Sequence, residues 1–217
     1  MTQNRKTKTT RKKDSWQARK SAKTRESILD GAIDCYAKLG YSKTTTSTIV
    51  SKANVSRGAM AHHFSSLADV VQAAAEHIKD KRLADSRRKF SKLENLRTKE
   101  SRIKVFHIHW EWLLSKEATA YYELREVSRT DPKLKKIMSK ISAEFDAESR
   151  SIIGELFPEI KVDAKQMTRS EDLLQYLFEG MAMDFRLKGR SKKEKEKMEN
   201  LITYIGENIG TIWGVQS

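Results

Sequence analysis

Residues 44–64 read TTTSTIVSKANVSRGAMAHHF, and this stretch decides the fold. Hydroxyl side chains accept hydrogen bonds from the free amides that open a helix, so Thr44, Thr45, Thr46 and Ser47 offer N-caps for a short helix. Its Ile49, Val50 and Ala53 are expected to point inward. Asn54 tolerates the left-handed backbone that a tight reversal needs, Val55 can plug the corner, and Ser56 can cap a second short helix running to Phe64. Two short helices joined by about four residues make a helix-turn-helix.

Upstream, from Thr24, Ile28, Ala32, Cys35, Tyr36 and Leu39 recur at helical spacing, and Gly40 stands where a left-handed cap would close that helix. Downstream, Leu67, Val70, Val71, Ala74, Ala75 and Ile78 form the stripe of a longer helix continuing past Leu83. Further stripes are Ile103 to Leu114, Ala118 to Val127, and Leu134 to Leu156, the last introduced by Asp131-Pro132 and stopped before Pro158. Residues 158–169 read as a loop. Two closing helices carry Leu173 to Phe185 and Leu201 to Trp213, with the charged run Lys188 to Lys197 at the bend between them. With no alternating strand pattern, the chain is expected to be all-α: a three-helix helix-turn-helix domain at 24–70, then a helical ligand-binding and dimerisation domain at 71–217.

Composition narrows the function. The 217 residues carry a net charge of +14, and residues 1–66 hold 14 Lys or Arg against 4 Asp or Glu. Nine of these cations, from Arg5 to Lys23, are opposed only by Asp14, with Trp16 almost the sole apolar residue among them. Residues 1–23 are therefore expected to be a disordered basic arm, which attracts polyanions because each neutralised phosphate releases counterions. A solubilising tail or a membrane-surface patch are the plainer readings of such a run; no amphipathic apolar face accompanies it. No stretch approaches the roughly 18 to 20 apolar residues of a membrane span, and the N-terminus is charged where a signal peptide is apolar. The single Cys35 supplies neither a disulfide nor a cysteine metal cluster, so a cytoplasmic protein without metal or cofactor is expected. No phosphate-cradling glycine loop or nucleophile setting suggests an enzyme.

A recognition helix pushes the side chains of its leading end into the major groove. Here that edge is Ser56, Arg57, Gly58 and Ala59, and Arg57 is the one long donor able to hold guanine O6 and N7 together; the plain alternative is a solvated charge. Thr45, Thr46 and Ser47 suit phosphate oxygens, or serve only as caps. Of His62 and His63, one can reach phosphate while the other packs inward with Met60 and Phe64. His107 and His109, two apart on a helix, face different ways and make a metal site improbable. Phe106, Trp110, Tyr121, Tyr122 and Phe178 either line a ligand cavity or fill an ordinary core.

Residues 24–71, with Gly40-Tyr41, Thr44-Thr45-Thr46, Ile49, Ala53-Asn54-Val55-Ser56-Arg57-Gly58, His62-His63-Phe64 and Leu67 to Val71, resemble the DNA-binding domain of TetR-family transcriptional regulators. Asn54 stands where that family commonly has Gly, Ala61 where it has a phosphate-contacting Tyr, and Leu67 where it has Lys, so neither phosphate role passes to Ala61 or Leu67. The resemblance implies a ligand-responsive repressor that binds a palindromic operator on double-stranded DNA as a homodimer. It also implies a small-molecule effector and dimer contacts from Leu177, Phe178, Leu201, Ile205 and Ile212 on the two closing helices. The alternative is a nonspecific or architectural DNA-binding protein with no effector.

Overall fold

The computed structural model describes residues 3–189 and 191–214, excluding the side chains of residues 3–15. Among the described residues there are nine helices and no strand: α1 (Gln3–Leu39), α2 (Thr46–Ala53), α3 (Arg57–His63), α4 (Leu67–Phe90), α5 (Lys99–Leu113), α6 (Lys116–Val127), α7 (Pro132–Leu156), α8 (Ala164–Lys188) and α9 (Lys192–Ile212). None is long and apolar enough to cross a membrane.

Three of these boundaries differ from the sequence reading, each for a local reason. Residues 3–23, expected as a disordered arm, are drawn as the N-terminal part of α1. Nothing in that run breaks a helix: it holds neither Gly nor Pro, and Lys, Arg, Gln and Ala are all good helix formers. The expected loop at 158–169 is shorter, because the Asp163 carboxylate accepts from Gln166 N–H at 2.8 Å and starts α8 there. Likewise the charged run after Lys188 is mostly helix, capped by Ser191 accepting from Glu194 N–H at 3.3 Å. Its charges lie on α9, not in a bend.

The chain packs as two units, one of Met1–Ile78 with Thr119–Met138, the other of Lys79–Ala118 with Ser139–Ser217. Residues 119–138, which the sequence reading placed in the second domain, thus pack with the head. In the first unit, Ile28, Leu29, Ala32, Ile33 and Tyr36 of α1 are almost wholly buried with Ile49 of α2 and with Val70, Ala74 and Ile78 of α4. Each large apolar side chain so buried contributes about 1.5 to 3 kcal/mol. Gly31 permits the closeness of α1 and α2: a Cβ there would lie 2.9 Å from Ala53 Cβ and 3.0 Å from its backbone nitrogen. α1 ends at Gly40, whose φ of +81° lets its N–H reach Tyr36 O at 3.2 Å. The next amide, Tyr41 N–H, donates to the Glu123 carboxylate of α6 at 2.8 Å.

In the second unit, α5 lies against α9 at Gly206, where a Cβ would come 2.5 Å from Ile103 Cγ1 and 2.8 Å from its Cα. Beside it the buried Arg102 guanidinium is spent on carbonyls, donating to Gly206 O at 3.0 Å, Leu96 O at 2.9 Å and Arg97 O at 2.6 Å. A buried cation is tolerable only with such partners.

Candidate nucleic-acid interface

The helix-turn-helix is specified by local chemistry. Among the hydroxyls offered for the start of α2, Thr45 is the one that caps: its Oγ1 accepts from Thr48 N–H at 3.2 Å, and Thr48 Oγ1 accepts in return from Thr45 N–H at 2.9 Å. Thr44 turns inward, 4% exposed, and donates to Gly40 O at 2.7 Å. Asn54 sits in the left-handed region at φ +53°, which ends α2 and lets Val55 N–H return to Val50 O at 3.1 Å. Ser56 Oγ then accepts from Ala59 N–H at 3.1 Å and opens α3. Behind the motif, Lys52 of α2 pairs with Asp34 of α1 at 3.3 Å.

The two short helices divide cleanly into an inner and an outer side. Ile49, Val50, Met60 and Phe64 are buried. Thr45, Thr46, Ser47, Ser56, Arg57, Gly58 and His62 are exposed, and Ala59 and His63 are half-buried. Every residue expected to meet DNA therefore lies on the outer side or at its edge. A Cβ on Gly58 would meet nothing nearer than Ser56 Oγ at 3.9 Å, so no neighbour within the protein requires glycine there. His63 sits at 5.3 Å, edge-on, from His62, and its imidazole is held below the usual histidine value by burial, then by His62 and Arg25. It is the inward-leaning member of the pair, and His62 the outward one.

One contact ties the outer side together. Arg57 Nη2 donates to Ser47 Oγ at 2.9 Å, so a side chain of α2 holds the long donor of α3 in place. A guanidinium has five N–H donors, and four remain after this bond. Neither this bond nor the Glu123 brace on the α1–α2 turn was foreseen from sequence. Glu123 lies 82 positions from Tyr41 with no local signal, whereas the interior glycine Gly31 is the kind of interruption that marks close packing.

Residues 28–74 match the family model described as bacterial regulatory proteins, tetR family. These residues are similar to the DNA-binding domain of the TetR family. An uncharacterized HTH-type transcriptional regulator of Mycobacterium tuberculosis is 26% identical over 137 residues, 61% of this chain and 69% of that relative. In fold, the chain is similar to a protein from Rhodococcus sp. assigned to the TetR-family transcriptional regulators, at a TM-score of 0.67 and 19% identity over 90% of this chain and all of the other. It is also similar to the TetR-like regulator LfrR of Mycobacterium smegmatis, solved in complex with proflavine, at a TM-score of 0.58 and 17% identity over 86% and 96% of the two chains.

The other expected sites fall in separate places in the chain. Phe106 stacks on Phe178 with centroids 5.4 Å apart, and Trp110 meets Phe185 edge-on at 5.5 Å, all within the second unit. Tyr121 and Tyr122 pack on each other at 5.6 Å and belong to the first unit. Of the expected dimer contacts, Leu177, Leu201 and Ile212 are exposed and Ile205 is half-buried. Phe178 is a correction: it is 0% exposed within its own chain, packed on Phe106, and so has no surface to offer a second copy. Leu173, which the stripe included, is exposed as well, and periodicity missed Tyr176, Met183 and Leu187 of α8 and Tyr204 of α9, all exposed. Tyr176 and Tyr204 show 65% and 66% of their surfaces.

Proposed function

We propose that this chain is a TetR-family transcriptional regulator, a ligand-responsive repressor resident in the cytoplasm whose two copies bind a palindromic operator. Thr45, Thr46 and Ser47 serve phosphates, while Ser56, Arg57, Gly58 and Ala59 enter the major groove, with Arg57 on guanine; His62 reaches phosphate at the groove wall and His63 supports it. The observation that carries this reading is the Arg57–Ser47 hydrogen bond, which holds a long donor at the exposed leading end of α3 with a small residue, Gly58, beside it.

Pairing is assigned to the exposed apolar faces of α8 and α9. Positions 173, 176, 177, 180, 184 and 187 share one face of α8, and 201, 204, 205, 208 and 212 one face of α9, so two copies can close these into a four-helix bundle. Leu177, Leu201, Ile205 and Ile212 lie on these faces, and Gly180, with nothing within 4 Å of its absent Cβ, leaves room for a close approach. Small-molecule control is assigned to the second unit, around Phe106, Trp110 and Phe178. The support is the aromatic lining chemistry together with a neighbour of the same fold solved with proflavine. A bound effector works by favouring head arrangements that no longer match successive major grooves.

Selection of bound duplexes from a random pool tests the reading. A repressor of this kind enriches an inverted repeat bound on the order of a thousandfold or more above random duplex. Uniform recovery of the pool would instead identify a nonspecific architectural binder, the reading that the basic excess alone would favour.

A further inference from the structure

We propose that the N-terminal stretch of α1 is a second DNA-binding element, distinct from α2 and α3, that lies along the phosphates flanking each half-site. It rests on the DNA-binding reading above and adds a contact that the helix-turn-helix does not make. Among the described side chains of α1 the first buried are Ile28 and Leu29, and residues 16–23 are exposed throughout, so at least two turns of the helix precede the core it packs on. At 1.5 Å per residue, positions 3–23 span about 31 Å, close to one turn of duplex.

Charge says what that length is for. In the helical register, positions 16, 19 and 23 fall on one face, and they are Trp, Arg and Lys. Arg19 and Lys23 are like charges four apart, an arrangement that destabilises a helix in water and is relieved by an anion laid against it. Among the described residues, no carboxylate pairs with Arg19, Lys20 or Lys23. Trp16 is 61% exposed, with Lys20 Nζ 5.3 Å above its ring, so nothing in the protein buries the one large apolar group of the stretch. That ring lies within the basic face and not opposite it. The helix therefore lacks the separate apolar side with which an amphipathic helix enters a bilayer, and a phosphate backbone is the polyanion it fits.

The test uses the full chain, a 40-base-pair duplex of random sequence, and vesicles of phosphatidylcholine and phosphatidylglycerol in equal parts. The triple variant Arg19→Ala, Lys20→Ala, Lys23→Ala alters only exposed side chains. If all three reach phosphates, its log–log salt slope is shallower by about 2.7, so between 50 and 200 mM salt the unaltered protein loses about 40-fold more affinity than the variant. Duplex binding also changes the tryptophan fluorescence of the unaltered protein, and Trp16→Phe removes that change while Trp110, Trp112 and Trp213 remain. Equal slopes in protein and variant, or a stronger attachment to the vesicles than to the duplex, overturn the proposal while leaving the helix-turn-helix reading intact. Failure of the unaltered protein to bind any duplex overturns both.

Discussion

Replacing Arg57 with alanine separates base reading from general attraction. The guanidinium is exposed and gives one hydrogen bond, to Ser47 Oγ at 2.9 Å, so its removal leaves no buried group unsatisfied. Folding free energy should change by no more than about 0.5 kcal/mol, as for other exposed positions. On DNA the same side chain has donors left for both acceptors of a guanine edge, a contact worth about 1 to 3 kcal/mol of discrimination. One half-site then loses about 5- to 150-fold in affinity. A dimer carries the change twice, so a palindrome bound by both heads loses about 2 to 6 kcal/mol. The assay is fluorescence anisotropy on the selected operator and on a set of single-base-pair variants, with urea unfolding as the control for stability. The unaltered protein should discriminate at one symmetry-related pair per half-site, and Arg57→Ala should bind all four bases there alike. An equal loss on the operator, its variants and random duplex would refute the reasoning and make Arg57 a phosphate contact. Ser47→Ala should lower affinity less, because the guanidinium keeps its donors and only its tether and one phosphate contact are lost.

Other consequences follow from packing, pairing and titration. Gly31→Ala places a methyl 2.9 Å from Ala53 Cβ and against its backbone, so urea unfolding should show a loss of about 1 to 3 kcal/mol from overpacking. Leu177→Asp puts a charge on the exposed α8 face, and sedimentation equilibrium should shift toward monomer with a parallel loss of operator affinity; an unchanged dimer would move the interface elsewhere. His109 is held well below the usual histidine value by burial and then by Arg82, whose Nη2 lies 2.7 Å from its Nδ1. The unfolded chain therefore takes up a proton near pH 6.5 that the folded chain refuses, so stability present above pH 6.5 is lost as pH falls, at up to about 1.4 kcal/mol per pH unit for this group. His109→Gln should flatten unfolding midpoints measured between pH 7 and 5, and an unchanged pH dependence would count against a neutral imidazole at this position.

What could be read in the sequence was what neighbours along the chain decide. Thr45, Asn54 and Ser56 each act on amides or backbone angles within four residues, so the helix-turn-helix was legible as a pattern of caps and one left-handed residue. The outer side of the motif followed from the same register, since fixing Ile49, Met60 and Phe64 inward turns Arg57 and His62 outward. Contacts between distant segments left no such mark. Tyr41 N–H finds Glu123 across 82 residues, and Gly206 makes room for Ile103 across more than a hundred. Phe178 shows the limit of periodicity. A stripe tells which residues share a side of α8, but whether that side meets α5 or a second copy depends on packing that spacing alone does not encode. At the N-terminus, charge argued for disorder while helix propensity and the absence of Gly or Pro argued for continuation, and the second pair of terms sets the backbone of α1.

Two copies of α3, held by one dimer, are expected to read two half-sites on the same side of a duplex. Inserting five base pairs between the selected half-sites turns one of them about half a helical turn away without altering any base that α3 touches. Binding should fall to the level of a single half-site and recover in part when ten or eleven base pairs are inserted. Undiminished binding to the five-base-pair insertion would mean that the two heads do not act as one dimer.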